Sequence, residues 1–359
     1  MGDRTLFTPF KLGRIELKNR VVMAPMTRNR AEGHAPGALV AEYYAQRSEA
    51  GLIVTEGTSP SPNGLGYPRI PGLFSDPHQQ GWRRVAEAVH QAGGSIFVQL
   101  MHTGRVGHPL NLPAGARLLG PSAVAAPGEM WTDSQGPQPH PEPEEMTEED
   151  IQAALSEYAD AAERAVRVGL DGVELHGANG YLIEQFLNVA SNRRTDGWGG
   201  TLEGRARFAL EAARRTATRI GADRVGLRLS PYGVFNGMQP DAVTDALYEH
   251  LAREAARLGL AYLHLVDHSS LGAPKPKQEL IRRVRELFSG ALILSGGYDA
   301  GRAEADLVEG RADLVAFGRP FIANPRLVTR LRAGALLRAP DPATFYTPGP
   351  KGYTDYPLD

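Results

Sequence analysis

The chain has no cysteine in its 359 residues. That excludes disulfides, thiolate nucleophiles, iron–sulfur clusters and cysteine zinc sites together. Lysine is scarce too: of 39 basic residues, only Lys11, Lys18, Lys275, Lys277 and Lys351 are lysines. The resulting arginine bias does not point to a function. Basic and acidic residues nearly cancel, to a formal net charge of −2, and no basic run stands out, so nucleic acid is not an expected partner. No apolar stretch approaches the roughly 20 residues that span a bilayer. Met1 to Leu17 lack the basic start and apolar core of a secretory signal, and Leu6 breaks the myristoylation pattern that Gly2 could begin. A cytoplasmic protein without membrane partners is expected.

What is present is ordinary globular material, 42% hydrophobic and 22% charged, enough for a sizeable core. Eight short β-rich runs occur in order: Val21–Pro25, Leu52–Glu56, Ser95–Leu100, Gly172–His176, Val225–Leu229, Tyr262–Val266, Leu292–Ser295 and Leu314–Phe317. Amphipathic segments follow them at Ala38–Ala50, His78–Ala92, Glu148–Val168, Thr201–Ile220, Asp241–Leu258, Pro276–Phe288, Ala300–Glu309 and Pro325–Ala333. Thr147 with Asp150 three residues on reads as a helix start, and Gly51, Gly93, Gly169 and Gly259 fall where helices should stop. Eight strand–helix units predict one domain over residues 1–359, an α/β fold of the (β/α)8 TIM-barrel kind. A doubly wound open sheet would carry a glycine-rich dinucleotide fingerprint after its first strand, and Val21–Pro25 runs instead into Met26-Thr27-Arg28. Leu6–Leu17 reads as a hairpin closing the barrel bottom.

One connection is too long for a simple turn. The Pro- and Gly-rich excursion after the third strand, about residues 103–146, is expected to rise from the catalytic face as a lid, with Trp131 a candidate cover. The last residues, Pro340 to Asp359, carry Phe345, Tyr346, Tyr353 and Tyr356, and should pack back on the barrel.

Barrel active sites sit at the C-terminal ends of the strands. Those ends supply Pro25-Met26-Thr27, Glu56-Gly57-Thr58, Gln99 with Met101 and His102, His176, Arg228, Asp267-His268, Gly296-Gly297 and Gly318-Arg319. The glycines after the seventh and eighth strands, with Arg319, predict a phosphate site. The other ends are polar but mostly neutral, a poor set for metal. His264, Asp267, His268 and His102 could form a small ligand cluster for a metal-dependent hydrolase, yet His264 reads better as a hydrogen-bonded core histidine. The set suits a flat heteroaromatic ring anchored by a phosphate, with Arg228 facing the edge that turns negative on reduction. Flavin mononucleotide (FMN) meets these demands. Opposite it, His176 and Asn179 offer two neutral donors for an oxygen that gathers charge, and Tyr181 offers a proton. Tyr181 as a plain aromatic at a helix start is the competing reading.

The chain resembles the Old Yellow Enzyme family of FMN-dependent ene-reductases nearly end to end. The likeness is carried by residues 6–9 and 19–28, by Val98-Gln99-Leu100-Met101-His102-Thr103-Gly104-Arg105, and by Glu174-Leu175-His176-Gly177-Ala178-Asn179-Gly180-Tyr181-Leu182. Residues 191–196, Phe317-Gly318-Arg319-Pro320-Phe321 and 352–357 complete it. The resemblance implies non-covalent FMN, reduced by NADPH or NADH, passing hydride to an enone, maleimide or nitroalkene in alternating half-reactions at one site. It further implies that Pro25, Met26, Thr27, Gly57, Gln99 and Arg228 contact the flavin ring, and that Gly296, Gly297, Gly318 and Arg319 hold its phosphate. His176 and Asn179 then bind the substrate's activating group, Tyr181 donates the proton, and Tyr67, Met101 and Tyr346 line the substrate pocket. Thr27 stands where one branch of the family has cysteine, which places the chain in the threonine-type branch. Met101 stands where a bulky aromatic is common. A flavin reductase acting mainly on nitroesters or nitroaromatics is the alternative within this chemistry; a non-catalytic flavin binder would not need Tyr181. The assembly state, monomer or homo-oligomer, cannot be read from the sequence.

Overall fold

The computed structural model describes residues 4–359, so the readings of Met1 and Gly2 lie outside the described residues. Eight parallel strands close into a barrel. They are β1 (Val21–Met23), β2 (Leu52–Thr58), β3 (Ile96–Leu100), β4 (Gly172–Gly177), β5 (Val225–Leu229), β6 (Tyr262–Val266), β7 (Ala291–Ser295) and β8 (Leu314–Phe317). Closure comes where β8 pairs with β1, Val315 opposite Val21 and Phe317 opposite Met23. Every residue of these strands is buried, as continuous apolar runs in a parallel sheet covered on both faces require.

The outer layer follows the expected alternation. Its helices are α1 (Ala38–Ala45), α2 (Asp76–Gln91), α3 (Glu148–Arg167), α4 (Leu202–Ile220), α5 (Thr244–Leu258), α6 (Gln278–Leu287), α7 (Ala300–Val308) and α8 (Leu327–Ala333). The Thr147 start is a full capping box: its hydroxyl accepts from the Asp150 amide and the Asp150 carboxylate accepts from the Thr147 amide. Gly259 ends α5 in the left-handed region. The boundaries differ from the sequence reading at several ends. α1 stops at Ala45 rather than Ala50, α5 begins at Thr244 rather than Asp241, and β1 ends two residues before Pro25. The Asp241 side chain accepts from the Val243 amide and from the Thr244 hydroxyl, which tightens the entry turn and delays α5.

Residues Phe10–Leu12 and Ile15–Leu17 pair as the expected antiparallel hairpin. Leu12 and Leu17 join Val22, Leu52, Phe97, Tyr262, Ile293 and Leu314 in an apolar cluster that plugs the barrel interior. Strand alternation then lifts the next inward residues into a polar layer above the plug. Gln99 lies opposite Glu174, His176 opposite Arg228, and Arg228 opposite His264.

The excursion is structured. Leu119–Gly120 pairs with Glu144–Glu145, and Glu129–Thr132 forms a hairpin with Gly136–Pro139. The C-terminal segment packs back as expected. Tyr353 is buried and stacks on Tyr43 at a centroid distance of 4.0 Å. Buried Arg28, Arg30 and Arg47 donate to carbonyls of that segment, among them Gly352 (2.7 Å), Thr344 (2.9 Å) and Tyr353 (3.3 Å).

Candidate active site

The strand ends open on an inner cavity of about 290 Å³ bordered by Pro25, Thr27, Tyr67, Gln99, Met101, His176, Asn179, Tyr181, Arg228, Phe235, Asn236 and Tyr346. Through Pro25 and Arg228 it adjoins a second cavity of about 270 Å³, whose wall includes Met26, Ser295, Gly296, Gly297, Gly318 and Arg319. Through Thr27, Tyr67, Tyr181 and Tyr346 it meets an outer chamber of about 800 Å³ between the excursion hairpin and the C-terminal segment. All the residues proposed for the flavin and the substrate line one of the first two cavities except Gly57. A Cβ at position 57 would fall 2.5 Å from Met101 Sδ, so Gly57 lies behind Met101. Trp131 is 57% exposed and forms a wall of the outer chamber rather than a cover over the inner cavity.

The polar layer fixes the floor. Glu174 accepts from Gln99 Nε2 at 2.8 Å and from the Tyr262 hydroxyl at 3.1 Å, and pairs with His264 Nδ1 at 2.8 Å. His264 Nε2 meets Ser295 Oγ at 3.0 Å. Burial opposes ionisation of Glu174, but His264, Arg228 and Gln99 outweigh it and hold the carboxyl below its ordinary range. Burial lowers His264 from the ordinary imidazole value, and the Glu174 carboxylate pulls the other way. This is the core histidine expected from the sequence. His268 instead packs edge-on against Phe235, and His102 Nδ1 accepts from the Gly104 amide. Among the described residues no group of three or more His, Asp or Glu could hold a metal ion. With Gln99's amide nitrogen committed, its carbonyl oxygen is the end available to a ligand.

Arg228 carries the charge of the site. It is 6% exposed, its side chain makes no hydrogen bond among the described residues, and its Nε is buried without a partner. Burial lowers its pKa from the ordinary value, and the nearby Glu174 offsets part of that cost. A buried cation with unused donors is costly unless something anionic completes it.

The stretch from His176 to Tyr181 leaves β4 through a turn in which Asn179 (φ 61°) and Gly180 (φ 75°) are left-handed. Glu184, one turn along the short helix Leu182–Leu187, holds that turn. It accepts from the Gly180 amide at 2.5 Å and from Ser230 Oγ at 2.6 Å, while Ser230 Oγ accepts from the Asn179 amide at 3.2 Å. Asn236 Nδ2 donates to the Asn179 carbonyl at 2.7 Å. His176 Nδ1 and Asn179 Oδ1 are buried without partners. Burial, with Arg228 beside it, pushes His176 well below the ordinary imidazole value, so the ring is neutral. The Tyr181 hydroxyl lies 3.0 Å from that of Tyr67, and burial drives its pKa well above the ordinary phenol value.

In the second cavity, Gly296 has φ 123°, and a Cβ there would strike the Asp267 carbonyl at 2.1 Å. Around Gly297 and Gly318 the nearest atoms to an added Cβ are 3.8 and 3.7 Å away, so a side chain at either would take ligand space. Arg319 is exposed and without a partner among the described residues. A glycine cradle with a free guanidinium suits a phosphate, and the adjoining inner cavity, with Gln99 and Arg228, suits a ring with hydrogen-bonding edges. The residues fit FMN.

Comparison with known proteins agrees. Residues 5–337 match the NADH:flavin oxidoreductase / NADH oxidase family. Chanoclavine-I aldehyde reductase of Penicillium roqueforti (strain FM164) is 43% identical, over 98% of this chain and 95% of its own. 12-oxophytodienoate reductase 7 of Oryza sativa subsp. japonica is 39% identical, over 98% and 94%. Among solved structures, morphinone reductase superposes with a TM-score of 0.95 at 45% identity, covering 99% of this chain and 96% of its own, and it has also been solved in complex with tetrahydroNAD. The chain belongs to the NADH:flavin oxidoreductase / NADH oxidase family, and is an FMN-dependent oxidoreductase of the Old Yellow Enzyme type.

The sequence did not single out Glu184, Ser230, Phe235 or Asn236. Glu184 lies four residues after Gly180 at the start of a helix, a spacing that could have marked it. Nothing local marks the other three, which come from the loop after β5.

Proposed function

We propose that the enzyme reduces C=C bonds activated by a carbonyl or nitro group, in enones, maleimides or nitroalkenes, with a nicotinamide nucleotide as reductant. The observation that carries this reading is the unpartnered pair of His176 and Asn179 beside the Tyr181 hydroxyl, on a cavity that adjoins the glycine cradle. Bound FMN would supply the hydride for the β-carbon of the alkene, with the nicotinamide as its source.

His176 and Asn179 hydrogen-bond the activating oxygen and favour its enolate form over the ground state, which lowers the barrier to hydride addition. Because His176 is neutral, it donates a hydrogen bond without competing for the proton. Tyr181 gives its proton to the α-carbon, completing addition of one hydride and one proton across the double bond. Its raised pKa keeps it loaded at neutral pH, and Tyr67 orients the hydroxyl. Arg228 would offset negative charge on the flavin, and Gln99 and Thr27 would hold its ring. Gly296, Gly297, Gly318 and Arg319 hold the phosphate. Met101, Tyr67 and Tyr346 shape the substrate pocket; methionine there is adaptable and suits substrates of varied outline.

No helix among the described residues is long and apolar enough to cross a membrane, and a cytoplasmic site of action agrees with the use of a nicotinamide reductant. The test is an anaerobic panel of enones, maleimides and nitroalkenes with the FMN-loaded protein. Saturated products from at least one class support the reading. Nicotinamide oxidation with every alkene left intact contradicts it.

A further inference from the structure

The glycine cradle is the place proposed for the FMN phosphate, so a nicotinamide nucleotide reaching the inner cavity must lay its remaining length in the outer chamber. Three charged side chains line that chamber: Arg69, Glu129 and Asp133. Arg69 is engaged at each of its three nitrogens. Its Nε donates to the Asn29 carbonyl at 3.1 Å, one terminal nitrogen pairs with Asp133, and the other donates to the Tyr346 carbonyl at 3.4 Å. Asp133 also accepts from Trp131 Nε1 at 3.4 Å, which fixes the pair to the hairpin. Glu129 has no partner among the described residues.

The chamber therefore offers two carboxylates, and its one cation is already neutralised. A ribose 2′-phosphate carries a charge of about −1.5 to −2 at neutral pH, and proteins that accept one supply a free arginine or lysine fork. Here it would meet like charge and no unpaired cation.

We infer that NADH is the preferred reductant over NADPH, and that Asp133 and Glu129 set this preference. The inference rests on the function proposed above. Asp133 acts by occupying Arg69, Glu129 by direct repulsion. Both effects are electrostatic and partly exposed, so salt should narrow the difference.

The experiment is stopped-flow bleaching of the FMN-loaded protein at low ionic strength, with NADH and with NADPH. Dissociation constants of the unreactive tetrahydro forms of both nucleotides, read from flavin absorbance, give a measure independent of turnover. NADH should lead by about ten-fold or more in the second-order rate constant of bleaching and in affinity, a difference of the size that a few nearby charges produce. Asp133→Asn, which frees Arg69, and Glu129→Lys should each raise the NADPH-to-NADH ratio by roughly five-fold or more. Equal or better use of NADPH by the wild type overturns the inference and leaves the ene-reductase reading standing. Ratios unmoved in both variants overturn it as well. A flavin bleached by neither nucleotide overturns both.

Discussion

Tyr181 has two phenol neighbours in effect: Tyr67 at hydrogen-bond distance and, on the same cavity, the Tyr346 side chain. Tyr181→Phe keeps the ring and removes only the proton. Bleaching of the flavin by the nicotinamide should persist, while turnover of 2-cyclohexenone should fall by roughly 10²-fold or more, the usual worth of a positioned acid. Unchanged enone turnover would remove Tyr181 from the proton-donor role. Glu184 makes a separate prediction. Burial raises its carboxyl to about 7 against the pull of Ser230 and the Gly180 amide. Ionised, it accepts from both donors; protonated, it gives up one acceptor and loosens the turn that carries Asn179. A phenol, whose oxygen can take the hydrogen bonds of His176 and Asn179 in place of a substrate oxygen, reads the state of that turn: its affinity should fall as pH drops through about 7, and Glu184→Gln should flatten that profile. The stability effect has the opposite sign. Because the folded value lies above the ordinary 4.5, the contribution is complete below 4.5 and is lost as pH rises through about 7. Nearby His268, at about 4, and His102, at about 3, titrate outside this window. Melting temperature against pH for the wild type and Glu184→Gln checks the sign.

At the scale of elements, the C-terminal segment illustrates what a sequence can and cannot say. Aromatics at Phe345, Tyr346, Tyr353 and Tyr356 announced that it packs; Tyr353 is the one fully buried, while Tyr346 stays 59% exposed on the chamber wall. The clamp that holds it, Arg28, Arg30 and Arg47 reaching its carbonyls, depends on residues about 300 positions away and leaves no local pattern. Tyr353→Ala should cost about 3–5 kcal/mol by cavity formation and loss of the Tyr43 stack. Tyr353→Phe should be neutral or stabilising, since the hydroxyl is buried without a partner. Urea denaturation of both variants separates packing from hydrogen bonding. The alanine variant should also weaken phenol binding, because the same segment carries Tyr346. The stretch from His176 to Tyr181 was legible for the reverse reason: strand end, turn and helix start bring its three groups together within six residues. Glu184 holds that turn through a Ser230 that only the fold supplies.

Across the whole molecule, eight strand–helix units were readable from their order, and the hairpin plug from its alternating leucines. The polar floor was harder. Gln99, Glu174, His264 and Ser295 come from four strands, and only barrel closure makes them one network. The excursion reads from composition as a long loop, yet its paired segments build the wall of the outer chamber. On the proposed function both half-reactions use one cavity, since the inner space of about 290 Å³ holds His176, Asn179 and Tyr181 beside the site fitted for the flavin ring. The most direct measurement is anaerobic stopped-flow inhibition by a single phenol of flavin bleaching by NADH and of flavin recovery on adding 2-cyclohexenone. Competitive inhibition of both is expected, with a constant against NADH equal to the phenol's dissociation constant from the oxidised protein and a constant against the enone equal to that from the reduced protein. Competition against one half-reaction but not the other would place the two substrates in different sites and contradict it.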